Sequence, residues 1–277
     1  MGGFTFKGTS RINKEDISKT LDNLYDRFLN ELGLTTSDIR TLGSVYKKPT
    51  SGDIDILLDG TKISKNFNIS KDQVPKFIYD KLTKVHGQFE TNFTAGLKVS
   101  NIKFPIAETD KFVQIDLMTS FGPDCLELGE FIYYSSANSK YSGAHRTSLI
   151  YTILRFVDIK YLEYFEDGSV KTFEKYSLLP HGLVKQRKTL QGKRGPIKSP
   201  INLKDYEQVV ATNPADIVNI MLGVSDLSIT ESFENLYNFI ESGQNKVLYE
   251  KRKEIYKDWM NSFGKGLLIP DEFLKNI

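Results

Sequence analysis

The sequence is poor in cysteine and histidine and has no long apolar run. A single cysteine, Cys125, excludes an internal disulfide and a cysteine-rich zinc site. His86, His145 and His181 are far apart and show no metal-ligand spacing, so we interpret them as ordinary polar residues. No apolar run approaches the roughly 20 residues that span a bilayer, and the N-terminus lacks a signal-peptide hydrophobic region. These absences favour a soluble cytoplasmic protein with no membrane partner.

Net charge is also nearly absent. The 37 basic and 35 acidic residues almost cancel, which leaves a formal net charge of +2. Any nucleic-acid surface must therefore come from local clustering rather than from overall charge. A length of 277 residues with 39% hydrophobic content is sufficient for one large domain or two modest ones.

The most informative stretch is residues 42–58, LGSVYKKPTSGDIDILL. Asp53 and Asp55 alternate with Ile54 and Ile56, and alternate residues of a strand point to the same face. The two carboxylates are therefore predicted to lie side by side above an apolar layer. Adjacent carboxylates repel each other, and a hard cation such as Mg²⁺ would hold them together.

The rest of the first half alternates between helical and strand patterns. Apolar residues at helical spacing predict helices over residues 13–33 and 71–86, and residues 125–156 are largely helical in pattern. Strands are predicted over 98–104 and 111–118, with Asp116 interrupting the second. The first strand is predicted to stop at a turn formed by Asp59 and Gly60.

The last third has a different pattern. Residues 161–184 are typical of a hairpin with a turn at Asp167-Gly168, and helices are predicted over 214–223 and 229–260. Between them, residues 184–204 contain seven cations and no acid, broken by glycines and prolines, which predicts a flexible basic loop. Such a cluster suits a phosphate backbone. The cations are Lys185, Arg187, Lys188, Lys193, Arg194, Lys198 and Lys204.

Three strand aspartates in this arrangement are typical of two-metal chemistry. Such sites need carboxylates that hold two ions about 3.5–4 Å apart. Asp53 and Asp55 share one strand, and Asp116 follows on its own strand about sixty residues later. The turn at Gly43-Ser44 offers a backbone N–H and a hydroxyl to a phosphate. We expect two Mg²⁺ ions, with Mn²⁺ as an alternative.

These motifs resemble those of the polymerase β-type nucleotidyltransferase superfamily, and most closely the family X DNA polymerases. The similar segments are residues 6–16 (FKGTSRINKED), 42–58, 112–118 (FVQIDLM), 133–146, 173–183 and 213–223. The resemblance implies that Asp53, Asp55 and Asp116 bind the metal ions and that Asp116 activates the primer hydroxyl. It also implies a nucleotide-binding set: Arg11, Gly43, Ser44, Lys47, Ser51, Gly52, Tyr133, Tyr134, Ser136, Asn138 and His145 or Arg146.

The resemblance implies an α+β fold with a palm, which is a mixed sheet backed by helices. A small α/β thumb-like domain and a helical C-terminal extension would follow. The expected boundaries are 1–130 for the palm, 131–225 for the thumb-like domain and 226–277 for the extension. A compact monomeric palm and thumb would suit a virus or phage, which would place the protein in the host cytoplasm.

The sequence departs from the family pattern at several positions. The loop after Gly43-Ser44 is one residue shorter than expected and has Lys47 and Lys48 where arginines are usual. Gln114 replaces an arginine beside the third aspartate, and Ser136 replaces a glycine that follows the aromatic pair. Since the chain begins almost at the palm, we expect no lyase chemistry and a reduced grip on downstream DNA.

The function expected from the resemblance is addition of a deoxynucleotide to a DNA 3′-hydroxyl with release of pyrophosphate, in a DNA-repair polymerase. One alternative is template-independent nucleotidyl transfer to RNA, protein or a small molecule, using the same three aspartates. A non-enzymatic alternative is an inactive relative that binds nucleic acid or acts like an antitoxin.

Overall fold

The protein is described by a computed structural model, in which the chain divides into two units, Met1–Asn138 and Ser139–Ile277. The division lies at Asn138 rather than at residue 130. Residues 226–277, expected to form a separate extension, belong to the second unit because two of their helices pack on its central helix. The described residues are 5–43, 45–85, 89–157, 160–164, 170–191 and 201–275.

The first unit alternates strands and helices. In chain order its elements are β1 (Ile12–Asn13), α1 (Lys14–Arg27), β2 (Ile39–Thr41), β3 (Thr50–Ser51), β4 (Asp53–Asp59), α2 (Gly60–Phe67), α3 (Val74–Val85), β5 (Thr91–Thr94), β6 (Val99–Pro105), β7 (Phe112–Ser120) and α4 (Cys125–Ile132). Short 3₁₀ turns lie at Leu29–Leu32 and Thr36–Asp38.

Five of these strands form one mixed sheet in the order β2-β4-β7-β6-β5. β4 and β7 are parallel neighbours, and every other adjacent pair is antiparallel. The chain between the two parallel strands contains α2, α3, β5 and β6, which is the long crossover that parallel pairing requires. β1 and β3 form a separate two-residue ladder.

The two faces of this sheet differ because alternate residues point to opposite sides. Ile54 and Ile115 lie opposite each other on one face, within the buried apolar cluster to which helices α1, α2 and α3 contribute. The opposite face carries Leu57, which α4 approaches closely. A Cβ atom at Gly129 would lie 2.1 Å from Leu57 Cδ2, so only glycine permits this packing.

Two predicted boundaries differ from the observed ones. The predicted helix over 13–33 is α1 followed by a 3₁₀ turn, and it ends at Gly33, which adopts a left-handed conformation. Asp59 and Gly60 do not form a turn. The Asp59 carboxylate accepts a hydrogen bond from the Lys62 amide (3.0 Å) and caps α2, which begins at Gly60.

The second unit combines one antiparallel sheet with helices. Its elements are α5 (Gly143–Leu154), β8 (Lys160–Tyr164), β9 (Val170–Leu179), β10 (Gly182–Gln191), β11 (Ile201–Ala211), α6 (Pro214–Leu222), α7 (Phe233–Glu241), α8 (Lys246–Phe263) and α9 (Asp271–Lys275). The strands pair in sequence order, and α5 packs on β9, α7 and α8. The predicted turn at Asp167-Gly168 lies outside the described residues.

The chain is therefore α+β, with a mixed sheet backed by helices in the first unit and an antiparallel sheet with helices in the second. Within the described ranges, no helix combines the length and apolarity needed to cross a bilayer.

Candidate active site

The three predicted aspartates lie together on neighbouring strands. Asp53 and Asp55 are alternate residues of β4, and Asp55 lies directly opposite Asp116 in the parallel pairing with β7. One carboxylate oxygen from each residue lies within 4.8 Å of those from the other two. The crossover between β4 and β7 thus brings residues sixty positions apart into one acidic cluster.

Burial and mutual repulsion perturb the cluster strongly. Burial, together with the negative charges of Asp53 and Asp116, raises the pKa of Asp55 to about 7. Burial also raises the pKa of Asp116, although hydrogen bonds from two amides oppose the rise. Without a cation, the cluster therefore carries less than its full negative charge near neutral pH.

The donor set fits a hard divalent cation. Three carboxylates supply only oxygen, which is the ligand type that Mg²⁺ and Mn²⁺ favour. A cation would also relieve the repulsion that raises the pKa of Asp55. The residues present are thus suited to hold such an ion between β4 and β7.

Two side-chain amides hold one oxygen of Asp116. Gln114 Nε2 and Asn101 Nδ2 each donate to Asp116 Oδ1 at 2.8 Å. Asn101 lies opposite Asp116 on β6, and both amide residues are buried. Gln114 was noted in the sequence only for its missing charge. Asn101 was missed because the register between β6 and β7 cannot be derived from the sequence.

The loop before β4 approaches the cluster at Gly43. Gly43 has φ +65°, and a Cβ atom there would lie 3.2 Å from Asp55 Oδ2. The neighbouring Leu42 N–H donates to the Asp55 carbonyl (2.9 Å). Glycine is therefore required here both by its left-handed backbone and by the nearby carboxylate. Ser44, the other predicted residue of this turn, lies outside the described residues.

Lys47 and the tyrosines after α4 form a second part of the site. Lys47 Nζ donates to the Ser135 carbonyl (3.0 Å) and lies 3.8 Å from the centre of the Tyr134 ring. Tyr134 also forms a β-bridge with Gly43. Partial burial and the negative charge of Asp55 raise the pKa of Tyr133. These predicted residues thus line the same side of the first unit as the carboxylates.

Arg11 lies beside the loop that precedes β4. Its guanidinium donates to Thr50 Oγ1 (2.9 Å) and to the Thr50 carbonyl (2.8 Å), and it is exposed. Ser51 is 1% exposed, and its Oγ has no hydrogen-bond partner among the described residues. Its burial removes this hydroxyl from the predicted phosphate contacts. Gly52 follows directly and leads into Asp53.

The remaining nucleotide-binding predictions divide between the units. Ser136 and Asn138 lie in the segment after α4, where the Asn138 N–H donates to Ser136 Oγ (3.3 Å). Arg146 lies on α5 of the second unit and is only 2% exposed. Its guanidinium donates to the Thr230 carbonyl. Because this guanidinium is buried and bonded within the second unit, its predicted contact with a nucleotide is not among those that the structure brings together with the carboxylates.

His145, the alternative to Arg146, is also a structural residue. Its Nε2 donates to the Leu268 carbonyl (2.9 Å), which leaves Nδ1 to accept from the Ser142 hydroxyl (2.8 Å). Burial lowers the pKa of His145.

Cys125 is not suited to catalysis. Burial and the Asp59 charge raise the pKa of Cys125 to about 11, which makes it a poor nucleophile.

The basic stretch is not a loop over most of its described length. Residues 182–191 form β10, and residues 201–211 form β11. Lys185 and Arg187 both pair with Glu174 of β9, at 3.3 and 2.8 Å. The sequence did not reveal this pairing because Glu174 lies on the neighbouring strand rather than within the basic stretch. The backbone of Lys188 pairs with that of Lys204, whereas Lys193, Arg194 and Lys198 lie outside the described residues.

No protein-family model and no curated protein matches this sequence. Among solved structures, the chain aligns with Cid1, whose RNA terminal uridylyl transferase activity is linked to its structural plasticity. The alignment has 14% identity and a TM-score of 0.27, and it covers 76% of this chain. It covers 62% of the Cid1 chain, so this chain spans less than two thirds of that protein. A similarity this low carries no argument about fold or activity.

Proposed function

We propose that this protein is a metal-dependent nucleotidyltransferase. It would transfer a nucleoside monophosphate from a nucleoside triphosphate to an acceptor hydroxyl and release pyrophosphate. The acidic cluster of Asp53, Asp55 and Asp116 carries this proposal. The parallel pairing of β4 and β7 brings their oxygens within 4.8 Å of one another, close enough to share the two cations of a phosphoryl-transfer site.

Each carboxylate has a stated part in this reaction. Asp53 and Asp55 would hold the ions on the side of the triphosphate, and Asp116 would complete the site on the side of the acceptor. Bound divalent cations would supply charge neutralisation and a lower pKa for the acceptor hydroxyl. The acceptor oxygen forms a bond to the α-phosphorus as the bond to the bridging oxygen breaks, and pyrophosphate leaves.

Other residues of the first unit would bind the triphosphate. Arg11 and Lys47 would contribute positive charge, and the backbone at Gly43 would approach the phosphates closely without a side chain. The contact of Lys47 with the Tyr134 ring would hold its ammonium near Gly43, since Tyr134 forms a β-bridge with Gly43. Most of the catalysis would come from positioning and charge neutralisation.

We propose a nucleic-acid 3′-hydroxyl as the acceptor. Lys185 and Arg187 on β10 of the second unit would contact its phosphate backbone, although Glu174 offsets part of their charge. The family resemblance favours DNA and a repair polymerase, and the same three carboxylates would equally serve an RNA acceptor. An experiment must therefore offer both.

The test uses labelled nucleoside and deoxynucleoside triphosphates with Mg²⁺ or Mn²⁺. Each is offered with a primed DNA template, with single-stranded DNA, with RNA or without acceptor. We expect labelled, elongated product and pyrophosphate from the native protein, and neither product from Asp116→Ala. Asp80→Asn removes an exposed carboxylate that pairs with Lys76 on α3 and serves as the matched control.

The outcomes separate the possible acceptors. Template-dependent products would identify a DNA polymerase, and elongated RNA would identify the RNA-acting alternative. Undiminished activity in Asp116→Ala would contradict the assignment of the site. Binding of DNA or RNA without any metal-dependent turnover would overturn the proposal in favour of an inactive relative.

A further inference from the structure

The orientation of Asp116 is fixed by neutral groups rather than by a cation. Gln114 on the same strand and Asn101 on β6 both donate a hydrogen bond to Oδ1 of its carboxylate. Two donors converging on one oxygen restrict rotation of the carboxylate. The other oxygen, Oδ2, remains as the natural ligand atom for a cation.

The two amides are themselves anchored. Asn101 Oδ1 accepts from Thr94 Oγ1 (3.1 Å) and from Asn92 Nδ2 (3.3 Å), both on β5. Gln114 Oε1 accepts from the backbone N–H of Thr5 (2.9 Å). Because each amide oxygen already accepts a hydrogen bond, each amide nitrogen must face Asp116. A continuous network thus runs from β5 and the N-terminal segment to the third carboxylate.

Burial makes this network costly to lose. Asn101 and Gln114 are each 3% exposed, so water cannot readily replace either donor. Both are neutral, which means that they orient Asp116 without cancelling any of the negative charge in the cluster.

We propose that Gln114 and Asn101 are positioning residues that hold Asp116 Oδ1 and thereby direct Oδ2 to the metal ions. This inference rests on the proposed function, since it assumes that the acidic cluster binds cations. Without these donors, the Asp116 carboxylate would turn away from Asp53 and Asp55, because like charges repel. Residues that orient metal ligands typically contribute 10–100-fold to metal affinity.

The test measures Mn²⁺ affinity directly, by isothermal titration calorimetry and by electron paramagnetic resonance, without any substrate. Gln114→Met and Asn101→Leu preserve side-chain size and remove the donors. We expect each to weaken Mn²⁺ binding about 10–100-fold. Because both amides hold the same oxygen, the double variant should weaken it by less than the product of the two effects.

Gln186→Met in the second unit is the matched control. Gln186 is also a buried strand glutamine, 6% exposed, and its Nε2 donates to Glu207 Oε2 at 2.7 Å. Its replacement should leave Mn²⁺ affinity unchanged. Thermal denaturation in EDTA checks that every variant is folded, and Asn101→Ser replaces Asn101→Leu if the larger apolar side chain prevents folding.

The outcomes distinguish this inference from the proposed function. Native Mn²⁺ affinity in folded Gln114→Met and Asn101→Leu, or in folded Asn101→Ser, would overturn the positioning role if Asp116→Ala still loses binding. Native affinity in Asp116→Ala itself would overturn the metal site and with it the proposed function. Equal losses in the Gln186→Met control would show a general effect of buried glutamine replacement and would also overturn the positioning role.

Discussion

The two units contain contrasting arrangements of polar groups away from solvent. In the second unit, two buried polar side chains end on neutral partners: Arg146 on the Thr230 carbonyl, and Trp259 Nε1 on Ser148 Oγ at 2.7 Å. In the first unit, the parallel pairing of β4 and β7 places the half-buried carboxylates of Asp55 and Asp116 opposite each other. The first arrangement stabilises the fold by itself, whereas the second is unfavourable until a cation joins it.

This difference distinguishes polar groups that stabilise the fold from polar groups that form a functional site. A buried polar group with a matched partner needs nothing from outside the fold. Two neighbouring carboxylates, one with its pKa raised to about 7, lower the stability of the metal-free protein. Unfavourable electrostatics of this kind is characteristic of functional sites, and it favours the first unit as the location of the proposed active site.

The largest effect should come from Asp55→Asn. It removes a metal ligand, so we expect nucleotidyl transfer to fall at least about 1,000-fold. It also removes a buried charge, so the metal-free protein should melt at the same temperature or higher. Single-turnover assays and thermal denaturation in EDTA measure the two effects. Retained activity, or a clear loss of stability, would contradict a ligand role for Asp55.

Phe273→Ala in the second unit should lower the stability of the protein and leave its Mn²⁺ affinity unchanged. Phe273 is fully buried and stacks on Tyr256 at 4.3 Å between ring centroids. Its truncation should destabilise the second unit by about 3–5 kcal/mol. Urea denaturation followed by Trp259 fluorescence measures this, since Trp259 is the single tryptophan and lies in the same unit. Weaker Mn²⁺ binding by the folded variant would contradict the assignment of the metal site to the first unit alone.

The stability of the two units should respond to pH in opposite directions. In EDTA, the folded first unit holds a proton on Asp55 up to about pH 7, whereas the unfolded chain loses it near about pH 3.9. Stability should therefore fall as pH rises between these values, by on the order of 2–4 kcal/mol. Asp55→Asn should reduce that dependence to the part that Asp116 contributes, since burial also raises the pKa of Asp116, and chemical denaturation across pH measures it. A native-like pH dependence in Asp55→Asn would contradict the assignment.

In the second unit, burial lowers the pKa of His145, so the unfolded chain gains a proton first as pH falls. Stability should be lost below about pH 6.5, the ordinary value for histidine. Trp259 fluorescence follows this loss. A second unit that instead gained stability on acidification would contradict the buried neutral state of His145.

Gly43→Ala should have the smallest of these effects. The left-handed backbone at Gly43 costs a non-glycine residue about 1–2 kcal/mol, and the new Cβ would lie 3.2 Å from Asp55 Oδ2. We therefore expect Gly43→Ala to lose about this much stability and to bind Mn²⁺ more weakly. Gly223→Ala is the matched control, because Gly223 has φ +76° and a Cβ atom there would make only an ordinary contact, 3.8 Å from Asn245 Nδ2. It should lose similar stability with unchanged Mn²⁺ affinity. Equal Mn²⁺ affinity in both variants would remove Gly43 from the site.

Local sequence patterns predicted the elements that carry the carboxylates. Alternation placed Asp53 and Asp55 on one face of a strand, and the aspartate within FVQIDLM placed Asp116 on another. These predictions needed only the two-residue period of a strand. The gathering of the three residues was predicted from the ligand needs of two-metal chemistry and agreed with the family resemblance, and the parallel β4–β7 pairing is what achieves it.

The differences at the candidate site, unlike the shifted helix boundaries, depend on contacts that are distant in sequence. Glu174 neutralises part of the basic stretch from a neighbouring strand, and the burial of Arg146 depends on the carbonyl of Thr230. Asn101 reaches Asp116 only through strand register. None of these relations leaves a periodic signal, since each is set by the tertiary arrangement of the sheet and helices.

The most direct measurement of the metal site is anomalous diffraction from a crystal that contains Mn²⁺ and a nonhydrolysable nucleoside triphosphate. We expect two anomalous peaks about 3.5–4 Å apart, with Asp53, Asp55 and Asp116 as ligands and the triphosphate beside Gly43. Peaks located elsewhere, or a triphosphate bound away from this acidic cluster, would contradict it.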